Sequence, residues 1–186
     1  MVKACLQKRF TRDSRLVFTV PLPGREPVFM SMNIADDGRD NYGVVIVDAQ
    51  KLLALWRAEP YGRHKNVSDG TPETWPSDYK YKYAAECFSH GRENPVPLAD
   101  VSLEHRIVST ESYKFFRLVK AVRKERINFL TISDGITRTI WLLSHHCSAF
   151  PVKCRSHNVT QLYEAAGAAG APCRTIQEWA ELSPQA

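Results

Sequence analysis

Apolar and polar positions change period several times along this chain, and each change marks an element. Residues 15–21 (RLVFTVP) are β-prone and stop at Pro21 and Pro23, which predicts a first strand. Residues 28–34 (VFMSMNI) alternate and predict a second. The polar run 36–41 (DDGRDN) predicts a turn, and Val44-Val45-Ile46-Val47 follows as a third strand, apolar on both faces and central. The second and third strands are expected to pair as a hairpin with a long loop. Asp48 has a side chain suited to cap a helix over 49–57 (AQKLLALWR), with Leu52, Leu55 and Trp56 as its core face and Pro60 as its stop.

Residues 61–93 break every period, yet their aromatic content argues for packing. Within them Tyr79-Lys80-Tyr81-Lys82-Tyr83 alternates. That pattern fits an edge strand whose lysines block further pairing, or a basic aromatic surface for single-stranded nucleic acid, with Arg63, His64 and Lys65 as a rim. Residues 94–101 (NPVPLADV) open a new strand, and 103–108 (LEHRIV) follow as a loop carrying Glu104, His105 and Arg106. Residues 111–126 read as a helix, with Phe115, Leu118, Val119 and Val122 on one face.

The central unit is 127–154, INFLTISDGITRTIWLLSHHCSAFPVKC. It predicts a buried strand, a tight turn at Ser133-Asp134-Gly135, and a helix over 136–146 with Ile136, Ile140 and Leu143 in line. A short closing strand over 149–152 follows, with Pro151 at a sheet edge. After it come a helix over 158–166, capped by Asn158 or Thr160, and a capping box at Thr175-Ile176-Gln177-Glu178 that starts a helix over 175–182. Residues 183–186 are expected to fray.

Composition narrows the class. A chain of 186 residues, 44% hydrophobic and 24% charged, can bury one core. A net charge of +5 favours a polyanionic partner. Five scattered cysteines with no Cys-x-x-Cys fit reduced, cytoplasmic thiols rather than a disulfide frame. His145, His146, Cys147, Cys154 and His157 lack the tight ligand pairs of a zinc site, so the metal ligands stay unassigned. No apolar run approaches ~20 residues, so no membrane insertion is expected, and the charged N-terminus lacks the apolar segment of a secretory signal.

Two features carry candidate chemistry. Gly135 permits a tight entry into the following helix, whose first N–H groups have no internal partner and whose dipole is positive there. Thr137, Arg138 and Thr139 add two hydroxyls and a forked cation, a set that suits a phosphate or simply starts a helix with a surface arginine. Asp134 is a metal-facing carboxylate or a turn residue. Residues 111–126 set Lys114, Arg117, Lys120, Arg123, Lys124 and Arg126 against Glu111 and Glu125, the steepest local cation excess in the chain.

Strand, Asp134-Gly135-x-x-Arg138-x, helix, then Phe150-Pro151-Val152 resembles the core of the ParB/sulfiredoxin superfamily over about half the chain. There a Gly-x-x-Arg turn holds nucleotide phosphates, and residues 94–101 are similar to the strand that opens that core. GITRTIWLL followed by AFPV, with GVVIVDAQKLLALW upstream, more closely resembles the plasmid fertility inhibition factors, the Osa-like family, over most of the chain. Sulfiredoxins carry a reactive Cys after the motif Gly, and ParB proteins an acid with more Arg nearby; Ile136 and Thr137 stand there, which argues against thiol chemistry and against ParB-style CTP and Mg²⁺ contacts.

The resemblance implies an α+β fold: a ParB/sulfiredoxin-like mixed sheet with flanking helices and an N-terminal β-rich extension. It implies a single domain over 1–186, with the core at roughly 94–156, the extension at 1–93 and C-terminal helices at 157–186. It further implies a nucleotide-regulated DNase with ATPase activity that blocks conjugative transfer. Gly135, Ile136, Thr137, Arg138 and Thr139 would hold ATP with a divalent metal such as Mg²⁺. Arg138, Asp134 and Glu104 would serve catalysis. Lys114, Arg117, Lys120, Arg123 and Lys124 would hold the transfer strand. The alternative is a non-catalytic protein that blocks a type IV secretion coupling protein or relaxase complex by occupancy. A partition regulator would need a helix-turn-helix after the core, and none is legible.

Overall fold

The computed structural model describes residues 1–10, 13–34, 41–114, 119–176 and 178–179, with side chains left out at 6–10, 13–14, 111–114 and 119–121. The described elements are arranged around two sheets. Strands β1 (Lys3–Phe10), β2 (Asp13–Leu22) and β3 (Arg25–Asn33) form an antiparallel meander, and the two-residue β5 (Val96–Pro97) joins β3 in parallel. The second sheet has the order β7-β6-β8-β4-β9, with β4 (Tyr42–Asp48), β6 (Ala99–Lys114), β7 (Val119–Asp134), β8 (Ala149–Arg155) and β9 (Cys173–Thr175). Helices α1 (Ala49–Arg57), α2 (Lys65–Ser68), α3 (Tyr81–Ser89), α4 (Ile136–Ser144) and α5 (Val159–Ala166) flank them. The class is α+β, as expected.

One apolar cluster joins both sheets and the helices. Phe18 and Met30 from the first sheet meet Trp56, Leu98, Leu130, Ile140, Leu142, Phe150 and Leu162, all of them among the most deeply buried side chains. Each such side chain contributes about 1.5–3 kcal/mol relative to leaving it in water. Asp48 caps α1 as its sequence predicts: its carboxylate accepts from the N–H groups of Gln50 and Lys51, both at 3.0 Å. Leu52, Leu53 and Trp56 are buried along α1, and Leu55 is half-buried. The capping box is present too. Thr175 N–H donates to Glu178 Oε2 at 2.8 Å, and Glu178 N–H donates to Thr175 Oγ1 at 3.3 Å. Ile176 and Trp179 beyond it are buried, whereas Leu182 and residues 183–186 lie outside the described residues.

Several elements differ from the sequence reading. β3 and β4 do not pair: β4 takes β8 on one edge and β9 on the other, in the second sheet, while β3 pairs with β2 and β5. The run 36–41, expected to turn between them, is described only at Asn41. β4, from the stretch read as an extension, therefore lies between β8 and β9 in the second sheet. Pro151 is in an interior strand, opposite Ile46; the short parallel ladder to β6 begins only at Val152, so the missing N–H falls outside it.

The largest difference is at 111–126. No helix forms among the described residues of that stretch. β6 and β7 pair in register from Val101↔Ile132 out to Lys114↔Val119. The strands that begin in the core keep their hydrogen-bonded ladder, and this pairing outweighs the local helical spacing. Residues 103–108 are accordingly strand, not loop.

Residues 79–83 differ in the opposite sense, as they lead into α3 instead of forming an edge strand. Asp78 Oδ1 accepts the Lys80 N–H at 2.8 Å, and the buried Ala84 and Phe88 lie with Tyr81 and Ala85 on the core face. The rest of 61–93 is packed, as its aromatics imply. Trp75 Nε1 donates to Val67 O at 2.8 Å, and the buried Glu59 carboxylate accepts the N–H groups of Tyr61 and Arg63 at 2.8 and 2.7 Å. No helix among the described residues is long and apolar enough to cross a membrane.

Candidate functional site

The turn between β7 and α4 is built around Gly135. Its φ is +91°, in the region that L side chains rarely adopt. An added Cβ would come 2.8 Å from the Cα of Ala99, at the start of β6. Only glycine therefore lets this bend lie against the neighbouring strand. Gly135 O accepts the Thr139 N–H at 2.9 Å, which closes the first turn of α4. The N–H groups that precede it have no partner within the helix.

Arg138 folds back along that turn. Its guanidinium pairs with the Asp134 carboxylate, one helical turn earlier. The Arg138 side chain is only 17% exposed and the Asp134 side chain 72%, so the pair is anchored at one end and open at the other. Arg138 Nε is buried and makes no hydrogen bond. Thr137 and Ile136 are half-buried beside it. Thr139 departs from the phosphate-binding expectation. It is 1% exposed, and its hydroxyl donates to Gly135 O at 3.0 Å, so it faces inward and stabilises the turn from below.

A cleft of about 400 Å³ lies over this turn. Asp134, Gly135, Ile136, Thr137 and Arg138 form one wall; Tyr79, Lys80, Tyr83, Ala84 and Cys87 form the other. The second wall is the stripe i, i+3, i+4, i+7 of the α3 segment. It is held in place from the core side, where Phe88 stacks on Trp141 with ring centroids 4.2 Å apart and the Tyr81 hydroxyl bonds the Ser144 hydroxyl. Sequence reasoning assigns Lys80 and its tyrosines to an edge strand and so leaves this wall out of the site. The apolar spacing of Tyr81, Ala84, Ala85 and Phe88 is the available signal: it predicts a helix and puts Tyr79, Lys80, Tyr83 and Cys87 off its core face.

Glu104 is not brought to the cleft. It lies on β6 opposite Phe129, four residues from Asp100, the partner of Asp134, which is roughly 13 Å along the strand. It accepts a hydrogen bond from the Thr131 hydroxyl at 3.1 Å. Among the described residues no three His, Cys, Asp or Glu side chains are grouped to hold a metal. A lone carboxylate with a nucleotide's phosphates fits the usual Mg²⁺ arrangement, in which the substrate supplies much of the coordination. Among the described residues Asp134 is the one acid that lines this cleft.

The cation-rich stretch is the outer half of the β6–β7 hairpin. Arg106, Arg123, Lys124 and Arg126 are exposed there, with Ile107 at 65% and Val122 at 51%. Register puts Lys124, opposite Ser109, and Arg126, opposite Ile107, on one face, and Arg106 and Arg123 on the other. Arg126 approaches His105 Nδ1 at 3.3 Å. Lys114 and Lys120 are opposed to Val119 and Tyr113 in the ladder, without described side chains, and Arg117 lies outside the described residues.

These features define an α+β protein with a cleft over a Gly-x-x-Arg turn and a basic two-stranded arm. The model of the plasmid fertility inhibition factor family matches residues 44–167, and the chain belongs to that family. Among curated proteins it is similar to Protein osa of Shigella flexneri, 28% identical over 157 residues that cover 84% of this chain and 71% of that one. Its fold matches the crystal structure of Oncogenic Suppression Activity Protein, a plasmid fertility inhibition factor, as its gold(I) cyanide derivative. The TM-score is 0.68 at 23% identity, over 96% of this chain and 81% of that one.

Proposed function

We propose that this fertility inhibition factor blocks conjugative transfer as a nucleotide-dependent DNase, with ATP bound and hydrolysed at the Gly135 turn and the transfer strand held on the basic arm. The observation that carries this reading is that one strand serves both features. β7 bears the exposed Arg123, Lys124 and Arg126 and ends on Asp134 at the turn. Cations on the arm neutralise backbone phosphates without reading sequence, which suits a protein that must act on any transferred strand.

At the turn, the first amides of α4 and the guanidinium of Arg138 would supply positive charge to the nucleotide's phosphates. The nucleotide would compete with Asp134 for Arg138 and free that carboxylate, the more exposed partner of the pair. Asp134 would then hold the divalent metal, which would supply charge stabilisation at the phosphoryl group. Arg138→Ala should abolish ATP binding; near-wild-type ATP affinity in that variant would overturn the site.

A second reading, inhibition by occupancy of a coupling protein or relaxase complex, is favoured by one observation: Glu104 lies outside the cleft, which leaves Asp134 as the one acid lining it among the described residues. Purified protein incubated with labelled single- and double-stranded DNA, with ATP and Mg²⁺ varied, separates the two. Cleavage that requires Arg138 supports the DNase. No cleavage under any condition, with transfer still inhibited in a mating assay, supports occupancy.

A further inference from the structure

The α3 wall of the cleft has its own chemistry. Three tyrosines are more than half exposed among the described residues, and two of them, Tyr79 at 74% and Tyr83 at 54%, line this one cleft. Exposed aromatic rings give up apolar burial, and their convergence on a cavity with cations opposite is a pattern with a use. Lys80 Nζ lies 5.4 Å from the Tyr79 ring centroid, and Lys82 Nζ lies 5.1 Å from that of Tyr83. Each ring thus carries a lysine ammonium over one face, while its exposure leaves further ring surface open to a flat π-system. The cleft's volume of about 400 Å³ falls in the range of small-molecule sites, roughly 300–1,000 Å³.

The two walls are complementary. The turn offers charge at Arg138 and the α4 amides; the opposite wall offers ring faces and the Lys80 ammonium. A ligand that satisfies both has an anionic tail and a planar ring. We propose that Tyr79 and Tyr83 form a stacking wall for the base of a nucleoside triphosphate whose phosphates lie against the Gly135 turn, with little preference among bases. This rests on the nucleotide reading of that turn. The weak preference follows from the wall's side chains: Tyr79, Lys80, Tyr83, Ala84 and Cys87 include no carboxylate or amide to pair with a base edge, and every base has a π-face.

The wall is tied to α4 on its core side. The Phe88–Trp141 stack and the Tyr81–Ser144 hydrogen bond set α3 beside the turn. Cys87 supplies a reporter. It is an exposed free thiol on the same wall, whereas Cys147 and Cys154 are buried.

Calorimetric titration of the full chain with ATP, GTP and inorganic tripolyphosphate tests the proposal. The wild-type protein is expected to bind all three, with ATP and GTP within a few-fold of each other and tighter than tripolyphosphate. Tyr79→Ala/Tyr83→Ala should weaken ATP by about tenfold or more while tripolyphosphate affinity changes less than about twofold. Tyr79→Phe/Tyr83→Phe should restore ATP binding, because the ring is what acts. Arg138→Ala should abolish ATP binding and weaken tripolyphosphate as well. Unchanged ATP affinity in the double alanine variant, with Arg138→Ala still defective, overturns the stacking wall and leaves the turn reading standing. Failure of the wild-type protein to bind either ATP or tripolyphosphate overturns both. Alkylation of Cys87 by iodoacetamide, followed by peptide mapping, should slow under saturating ATP, and an unchanged rate while ATP is bound overturns the proposal.

Discussion

The β6–β7 hairpin is one continuous ladder made of two unlike halves. At its base Val101, Leu103, Leu130 and Ile132 are all buried and belong to the central cluster. Further out Ile107 and Val122 are more than half exposed, and cations occupy both faces. The backbone pairing is the same throughout, so hydrogen bonds do not distinguish the halves. Burial does. The inner half is held by packing, while the outer half is held by its ladder and by cross-strand pairs, each of which contributes about 0.2–1 kcal/mol. The lesson is that an element's length and its structural role need not coincide. Core packing reaches only the base of this hairpin, and Ile107 and Val122 further out stand clear of it.

That contrast can be broken most sharply at the base. Leu130→Ala removes a fully buried side chain and should lower unfolding free energy by about 2–5 kcal/mol, read as a lower denaturant midpoint. A loss below about 1 kcal/mol would mean that the base is not packed as described.

A second effect separates the body from the arm by pH. Burial raises the Cys154 thiol to about 12 and the Cys147 thiol to about 11. An unfolded thiol ionises near ~8.5. Both groups are neutral in either state below that value, so their contribution is fully present there. It is lost as the pH rises from about 8.5 towards 12, because only the unfolded state ionises. Stability measured by chemical denaturation should fall across that window, and Cys154→Ala should make the fall shallower. An identical slope in the variant would show that the thiol does not titrate on unfolding.

The arm should respond to salt instead. Lys124→Ala/Arg126→Ala should reduce the slope of log affinity for duplex DNA against log salt by up to about 2, since each cation that neutralises a phosphate adds roughly one to that slope. An unchanged slope would show that neither cation touches DNA. Smallest of all, Ile107→Ala should leave the unfolding free energy within about 0.5 kcal/mol of wild type, since the side chain is 65% exposed. A large loss there would erase the distinction between the two halves.

Where the sequence is legible follows the same division. The Gly135 turn, the Asp48 cap and the Thr175–Glu178 capping box can be read directly, because each is set by a few adjacent residues whose chemistry admits one local answer. The arm cannot, because Phe115, Leu118, Val119 and Val122 have helical spacing, while the ladder that decides the matter is inherited from residues buried far along both strands. Tyr79 to Tyr83 mislead in the reverse direction, since alternation of type hides the stripe that packs against α4. In the site itself, Asp134 to Arg138 can be placed together from their adjacency. Glu104 cannot be excluded without the β6–β7 register, nor Tyr83 included without knowing that α3 is a helix.

The position of β4 has a consequence for synthesis. It emerges from the ribosome early, yet the residues that flank Gly43 in the sheet are Cys154 and Thr175. At ordinary elongation rates of ~5–20 residues per second, an apolar strand waits on the order of ten seconds with both margins bare. The Trp179 indole, whose N–H donates to Val44 O at 3.3 Å, follows both neighbouring strands in the chain. A ribosome stalled ahead of that point would release a sticky, half-zipped intermediate, which makes chaperone demand and codon tempo across residues 155–179 part of how this protein reaches its working form.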